Sequence, residues 1–161
     1  MKRRMWLSIG SNVGDRLAYL QSAVTRLSAI GPVRCSRVYE TTPVGVEGQP
    51  DYLNAAIELL SDLSPRELLA LCMEIEAAAG RERIVRWGAR TLDVDIIAIE
   101  GDAVDEADLQ IPHPRAVKRD FVLIPLHELA AVTDTGLPKR ALAETPGAVR
   151  LTELQLTLES R

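Results

Sequence analysis

No run of apolar residues in this 161-residue chain approaches the roughly 20 that a helix needs to cross a bilayer, so no membrane partner is expected. The basic start, Lys2-Arg3-Arg4, leads into Met5-Trp6-Leu7-Ser8-Ile9 and stops at Gly10-Ser11-Asn12. That stretch is too short for the apolar core of a secretory signal. Cysteine is scarce as well. Cys35 and Cys72 show no C-x-x-C or Cys/His spacing, which excludes a zinc site or a disulfide framework and predicts a reducing, cytoplasmic setting. Both fall in segments that read as regular structure, where a cysteine is expected to act as a small core residue. Excess positive charge is missing too: 19 Lys and Arg against 23 Asp and Glu leave a net charge of -4. With a pI near 5.3, the chain lacks the basic footprint of a DNA- or RNA-binding domain, and no nucleic acid is expected. Neither G-x-x-x-x-G-K-[ST] nor G-x-G-x-x-G occurs, so a P-loop enzyme or a Rossmann dehydrogenase would lack its phosphate cradle. No internal repeat or low-complexity segment is present.

What is present suffices for a core. Hydrophobic residues make up 47% and charged residues 26%, the balance of one globular domain over residues 1–161, expected as a monomer. Met5 to Ile9 reads as a strand, followed by a turn at Gly10 to Asp15. Leu17, Leu20, Val24 and Leu27 then recur at helical spacing over Asp15 to Ser28, with Ala23 beside them, and Gly31-Pro32 ends the helix. Val33 to Glu40 and Tyr52 to Leu60 read as strands. Ser64-Pro65-Arg66-Glu67 is a capping box with proline at the first helical position. It opens a helix whose buried stripe is Leu68, Leu69, Cys72, Ile75 and Ala79, with Gly80 suited to the position just past its end. Leu92 to Ile99 is a further strand, and the acidic stretch Gly101 to Asp108 reads as a solvated loop. Phe121 to Ala131 is strongly apolar and closes the recognisable core. Beyond Thr133 the chain looks irregular, with Leu151, Leu154, Leu156 and Leu158 as a last packed segment of undetermined type. The order β-α-β-β-α-β predicts an α+β fold, a ferredoxin-like core sheet with both main helices on one face plus short C-terminal additions.

The chemistry centres on Arg86-Trp87-Gly88-Ala89-Arg90-Thr91-Leu92-Asp93-Val94-Asp95-Ile96-Ile97. In a strand, side chains alternate, so Asp93, Asp95 and Ile97 share one face while Leu92, Val94 and Ile96 share the other. Same-face neighbours lie about 7 Å apart at the backbone, close enough for two carboxylates to converge on one cation. Two unpaired charges there would repel each other. A hard cation such as Mg²⁺, which uses one or two carboxylates plus substrate phosphates, removes the conflict. Arg81, Arg83, Arg86 and Arg90 bring guanidinium forks suited to phosphate oxygens beside the acids. A salt-bridged edge strand with solvated arginines is the plain alternative.

Several other residues carry two readings each. The link from Thr41 to Asp51 is long for a hairpin and is a candidate binding loop. Tyr52 and Asn54 at its far end pair an aromatic plane with an amide that donates and accepts, as a heterocycle with lactam and amine edges requires; a structural Asn beside a packed Tyr also fits. Asn12 is a turn or cap residue unless a ligand reaches it. Glu76 lies in the last turns of the second helix, where a carboxylate opposes the dipole; an arginine neighbour or a ligand would offset that. His113, one of two histidines, sits in the proline-flanked run Ile111-Pro112-His113-Pro114-Arg115 and is either a hydrogen-bonded structural residue or a ligand contact. Phe121, the only phenylalanine, follows the basic pair Lys118 and Arg119 and is either a stacking surface or a core residue.

Taken together and in order, these segments resemble the hydroxymethyldihydropterin pyrophosphokinase family, nearly end to end. The resemblance rests on Gly10-Ser11-Asn12, Tyr39-Glu40-Thr41-Thr42-Pro43-Val44-Gly45, Gln49-Pro50-Asp51-Tyr52-Leu53-Asn54, Ile75-Glu76 and Gly80-Arg81-Glu82-Arg83. It continues in the run from Arg86 to Ile96, Pro112-His113-Pro114 and Arg119-Asp120-Phe121-Val122-Leu123. It implies transfer of a diphosphate from ATP to a pterin alcohol, with two Mg²⁺ ions on Asp93 and Asp95. It further implies ATP contacts from Glu76, Arg81, Arg83, Arg90, His113 and Arg119, with Arg81, Arg83, Arg90, Asp93 and Asp95 as the catalytic set. The implied pterin pocket is Thr41, Thr42, Val44, Gly45, Tyr52, Asn54 and Phe121. Ala89 stands where the family usually has proline, which leaves the approach to Arg90 less rigid. The rival readings are another two-metal phosphotransferase or phosphodiesterase, and a non-catalytic nucleotide-binding module.

Overall fold

The computed structural model describes residues 1–43, 49–80, 91–139 and 148–158. The elements are β1 (Arg3–Ser11), α1 (Arg16–Ser28), β2 (Val33–Cys35), β3 (Tyr39–Thr41), β4 (Tyr52–Ser61), α2 (Pro65–Ala78) and β5 (Asp93–Ile99), followed by β6 (Val104–Glu106), β7 (Leu109–Ile111), a 3-10 turn (Ala116–Lys118), α3 (Asp120–Leu126), α4 (Val132–Thr135) and β8 (Val149–Leu151). It is a mixed α+β structure. The main sheet runs β5-β1-β4-β3-β8, with β2 also paired to β4, and every pairing is antiparallel.

The helices begin where the sequence supplies caps. The Asp15 carboxylate accepts from the Ala18 N–H, and Ser64 and Glu67 form the reciprocal capping box ahead of α2. Gly80 takes φ +73° just past the end of α2, a conformation in which a Cβ would be strained. Both helices pack on one face of the sheet. There Leu20, Val24 and Leu27 of α1 and Leu68, Cys72 and Ile75 of α2 meet odd-numbered residues such as Met5, Leu7 and Ile9 of β1. The even-numbered side of β1 looks the other way, and Trp6 packs against Ile97, Ala98 and α3 residues Val122, Leu123 and Leu126. Strand β1 is thus buried on both faces: one is filled by the helical core, the other by Trp6 at one end and the open positions Ser8 and Gly10 at the other.

Four expectations change. The strand expected over 33–40 is two strands, because the pairing Cys35↔Ile57 becomes Tyr39↔Asn54, one residue out of step. Ser36 sits at the break, where its backbone N–H donates to the Ala56 carbonyl and its Oγ accepts from the Ala56 N–H. Such a bulge resets which side chains face the site. The acidic stretch 101–108 is not all loop, since β6 pairs with β7 and Arg66 of α2 ion-pairs with Glu106 and Asp108. The core does not close with Ala131, because Leu137 and Val149 are buried as well. Finally, β8 is a strand at the sheet edge, yet Leu151, Leu154 and Leu158 are exposed and only Leu156 of that leucine series packs on the main core.

The α1–β2 link passes closest to β4 at Gly31, where a Cβ would collide with the carbonyl oxygen of Leu60. Gly31→Ala is therefore expected to lower stability by about 1–3 kcal/mol, as overpacking does. A reduced urea midpoint at unchanged slope checks this.

Candidate active site

The site lies on the sheet face opposite α1 and α2, and strand register builds it. Asp93 of β5 stands opposite Gly10 of β1, which stands opposite Asn54 of β4, and Asn54 in turn is opposite Tyr39 of β3. One step along, Asp95 is opposite Ser8. The missing side chain at Gly10 leaves the space between acid and amide open: a Cβ there would come to 3.0 Å from Asn54 Oδ1 and 3.5 Å from the Tyr52 ring. The far wall comes from the chain between β7 and α3, namely His113, Pro114, Arg115 and Arg119, and from Phe121 in the first turn of α3. Together these walls enclose a cavity of about 710 Å³, within the range of small-molecule sites.

Asn54 is buried, and its Nδ2 donates to Thr41 Oγ1 at 2.8 Å, which turns Oδ1 toward the space beside Gly10. Thr42 and Tyr52 line the same end. Phe121 packs on one side against the Trp6 cluster and the Tyr39–Ile124–Val149 cluster and on another faces the cavity. The Arg119 guanidinium lies 5.7 Å from its ring centroid, a cation–π distance.

At the other end the chemistry is ionic. Asp93 and Asp95 both reach the cavity, as alternation predicts, and among the described residues no hydrogen bond or ion pair engages the Asp95 carboxylate. Arg115 and Arg119 face them across the space, and His113 joins them. Burial pushes the His113 imidazole below its ordinary 6.5, aided by Arg119 and Arg115 and opposed by Asp95. His113 Nδ1 accepts from the Arg115 N–H at 3.2 Å, so Nε2 carries the proton and is the donor.

Glu76 is placed elsewhere. It is buried and accepts the N–H of Val94 at 3.1 Å, bracing the backbone between the two aspartates, and it is not part of the cavity wall formed by the described residues. Asn12 is likewise a brace, its Nδ2 donating to the Pro50 carbonyl at 3.3 Å. Val44, Gly45, Arg81, Arg83, Arg86, Ala89 and Arg90 lie outside the described residues. Sequence reasoning missed Ser8, Gln49 and Arg115 as wall residues. The alternation of β1 through Ser8 and Gly10 held the signal for the first, and adjacency to His113 for the last. Burial pushes the Cys35 thiol up to about 11 and the Cys72 thiol up to about 12, so neither is a nucleophile at neutral pH.

A charge network supports the Thr41–Tyr52 end from outside. Glu40 accepts from Arg16 at 2.8 Å and lies 3.5 Å from Arg150, and Arg16 followed by Arg150 holds its carboxyl below the ordinary 4.5. A folded value below the unfolded one means stabilisation that is present above about pH 4.5 and lost as pH falls through the folded value. Glu40→Gln is expected to cost under about 1 kcal/mol at pH 7, as for partly exposed pairs. The difference from wild type should vanish in acid, read from urea midpoints at stepped pH.

Comparison with known proteins meets this geometry. The family model for 7,8-dihydro-6-hydroxymethylpterin-pyrophosphokinase (HPPK) matches residues 6–131. The chain belongs to the HPPK family. Among relatives in that family, the 2-amino-4-hydroxy-6-hydroxymethyldihydropteridine pyrophosphokinase of Bacillus subtilis (strain 168) is 44% identical over 132 residues, covering 80% of this chain and 79% of its own. The enzyme of the same name from Methylorubrum extorquens is 44% identical over 130 residues, covering 79% and 82%. Among solved structures, an HPPK-DHPS in complex with substrates aligns with TM-score 0.62 at 12% identity, covering 89% of this chain and 43% of its own. A Plasmodium falciparum HPPK-DHPS triple mutant with pteroate aligns at 0.57 and 13%, covering 76% and 39%. At those identities the structures show the HPPK fold alone, and this chain spans less than half of either.

Proposed function

We propose that this HPPK-family chain transfers diphosphate from ATP to the hydroxymethyl group of 6-hydroxymethyl-7,8-dihydropterin, giving AMP and the pterin diphosphate, a step of folate biosynthesis. Family membership supports the reaction. The observation that carries the site assignment is one cavity in which a buried amide and an aromatic wall face two carboxylates and two arginines. The pterin lies at the Asn54 end, its polar edge against the Asn54 amide and its plane against Phe121 and Tyr52. Thr41, Thr42, Val44 and Gly45 complete that end.

The hydroxyl oxygen attacks the β-phosphorus in line. The new O–P bond forms as the bond from the β-phosphorus to the α,β-bridging oxygen breaks, AMP leaves with that oxygen, and the hydroxyl proton is released to water. Arg119 and the Nε2–H of His113 face the polyanion, joined by Arg81, Arg83 and Arg90, and Glu76 holds the backbone of the acidic strand. The donor set at Asp93 and Asp95 fits a hard divalent cation: two carboxylates on one face, one of them without a described partner, opposite the Ser8 hydroxyl. Mg²⁺ uses such carboxylates together with substrate phosphates. Two Mg²⁺ ions held there would neutralise phosphate charge and orient the reacting oxygens. The protein's own share is positioning and preorganised charge.

The same reading takes β1 to β5 as a ferredoxin-like core, supported by the element order and by both helices on one face. It takes the elements after β5 as additions, and residues 1–161 as one cytoplasmic monomer. An assay with ATP, Mg²⁺ and the pterin alcohol, resolved by chromatography, should yield AMP and a diphosphorylated pterin. ADP with a monophosphorylated product, or ATP-analogue binding without turnover, would overturn the reaction assigned.

A further inference from the structure

The segment after the family match reaches back to the cavity. Strand β8 pairs with β3 through Tyr39↔Leu151, Glu40↔Arg150 and Thr41↔Val149, and the ladder extends at both ends: the Thr42 N–H donates to the Ala148 carbonyl at 3.3 Å, and the Thr152 N–H donates to Val38 at 3.1 Å. Residues 148–152 therefore lie along the chain where it enters the Thr42 wall, although the match to the family model ends at residue 131.

The side chain at the centre of this strand bridges two chain ends. Arg150 Nη1 donates to Thr42 Oγ1 at 3.1 Å, where the chain leaves β3. Its Nη2 donates to Asp51 Oδ2 at 2.8 Å, where the chain enters β4. Glu40 lies 3.5 Å away on the same strand pair, and Arg16 completes the set by donating to Glu40 at 2.8 Å and to the Asp51 carbonyl at 2.9 Å. Two guanidinium groups and two carboxylates alternate, so charge is balanced within the network. The planar fork of arginine, unlike the point charge of lysine, fixes both partners in one geometry. Thr42 and Tyr52, the residue after Asp51, line the cavity, and Arg150 itself does not. The β3–β4 ladder ends at the pair Thr41↔Tyr52; around that end Asn54 bridges to Thr41 from inside, Arg16 bridges Glu40 to the Asp51 carbonyl, and beyond the last pair Arg150 bridges Thr42 to Asp51 from outside.

We propose that Arg150 is a positioning residue for the pterin end of the cavity, setting the separation of Thr42 from Tyr52 by holding Thr42 and Asp51 together. This rests on the reading of that end as the pterin pocket. It assigns a role in substrate recognition to the C-terminal strand, which no described contact connects to Asp93, Asp95 or Arg119. The effect is therefore confined to one substrate.

Binding of the pterin alcohol to the full chain, saturated with α,β-methylene-ATP and Mg²⁺, separates the outcomes by calorimetry. Arg150→Met is expected to weaken pterin binding about tenfold, the scale of one lost charge-assisted contact, with nucleotide-analogue affinity within about twofold. Arg150→Lys should fall between wild type and Arg150→Met. Asp51→Asn should weaken pterin binding similarly, and the double variant Arg150→Met/Asp51→Asn should be no weaker than the worse single one, as for residues acting through one bridge. In turnover, the KM for the pterin should rise while kcat and the KM for ATP hold within about twofold. Unchanged pterin affinity in Arg150→Met, or an equal loss for both ligands that tracks a lowered melting temperature, overturns the proposal. Wild type that binds the pterin alcohol without forming AMP overturns the reaction assigned above and leaves this test intact. Wild type that does not bind it overturns both.

Discussion

Asp95→Ala is expected to lower the rate of AMP formation by ~10²-fold or more, the scale of removing one preorganised charge stabiliser. The reason lies in what the carboxylate lacks. No described group donates to it, its neighbour Asp93 carries the same charge on the same face, and Ser8 stands opposite it across the strand pair. A carboxylate so placed contributes little to folding and much to any cationic ligand brought into the cavity. The thermal midpoint should therefore stay near that of wild type while turnover collapses, and added Mg²⁺ should not restore it. Full turnover by Asp95→Ala in Mg²⁺ would remove the acidic pair from the mechanism.

The second large effect is expected at the opposite end. Asn54→Leu keeps the branched shape of the side chain but removes the amide, so kcat/KM for the pterin alcohol should fall about 10²-fold. A ligand edge left without its buried partners loses roughly the free energy of two hydrogen bonds. Affinity for the ATP analogue should hold within about threefold, since Asn54 lies across Gly10 from Asp93. The Thr41 hydroxyl also loses its donor, and that should appear separately as a stability loss of about 1–2 kcal/mol in urea. A variant that uses the pterin as well as wild type does would show that the heterocycle is read elsewhere.

Much of this site could be read from the chain alone because it is written in period 2. Asp93 and Asp95 share a face with each other, and Tyr52 shares one with Asn54, by alternation, without any knowledge of partners. What alternation cannot give is which strands are neighbours and in what register. The row Asp93, Gly10, Asn54 depends on β1 lying between β5 and β4, and nothing local in Gly10-Ser11-Asn12 says so. The two-strand break near Ser36 was hidden for the same reason: a bulge is a property of a pair, visible only when Ala56 is seen bonded twice to one residue. Glu76 carried two readings because an acid near a helix C-terminus needs a partner, and one partner it has, the N–H of Val94, lies on a strand that no local pattern places beside the helix. The C-terminal leucines run in the opposite direction, since apolar content alone does not tell a packed segment from one that leaves Leu151 exposed on an edge strand and Leu154 and Leu158 exposed beyond it.

The parity of β1 also has an evolutionary side. Along its middle, Met5, Leu7 and Ile9 belong to the helical core while Ser8 and Gly10 line the cavity, with Trp6 on the cavity face given over to a second core, so heat tolerance and substrate choice are coded by neighbouring letters of one nine-residue word. Lineages are free to drift in one set while selection holds the other, and relatives adapted to different temperatures are expected to differ at Met5, Leu7 and Ile9 before they differ at Ser8 and Gly10.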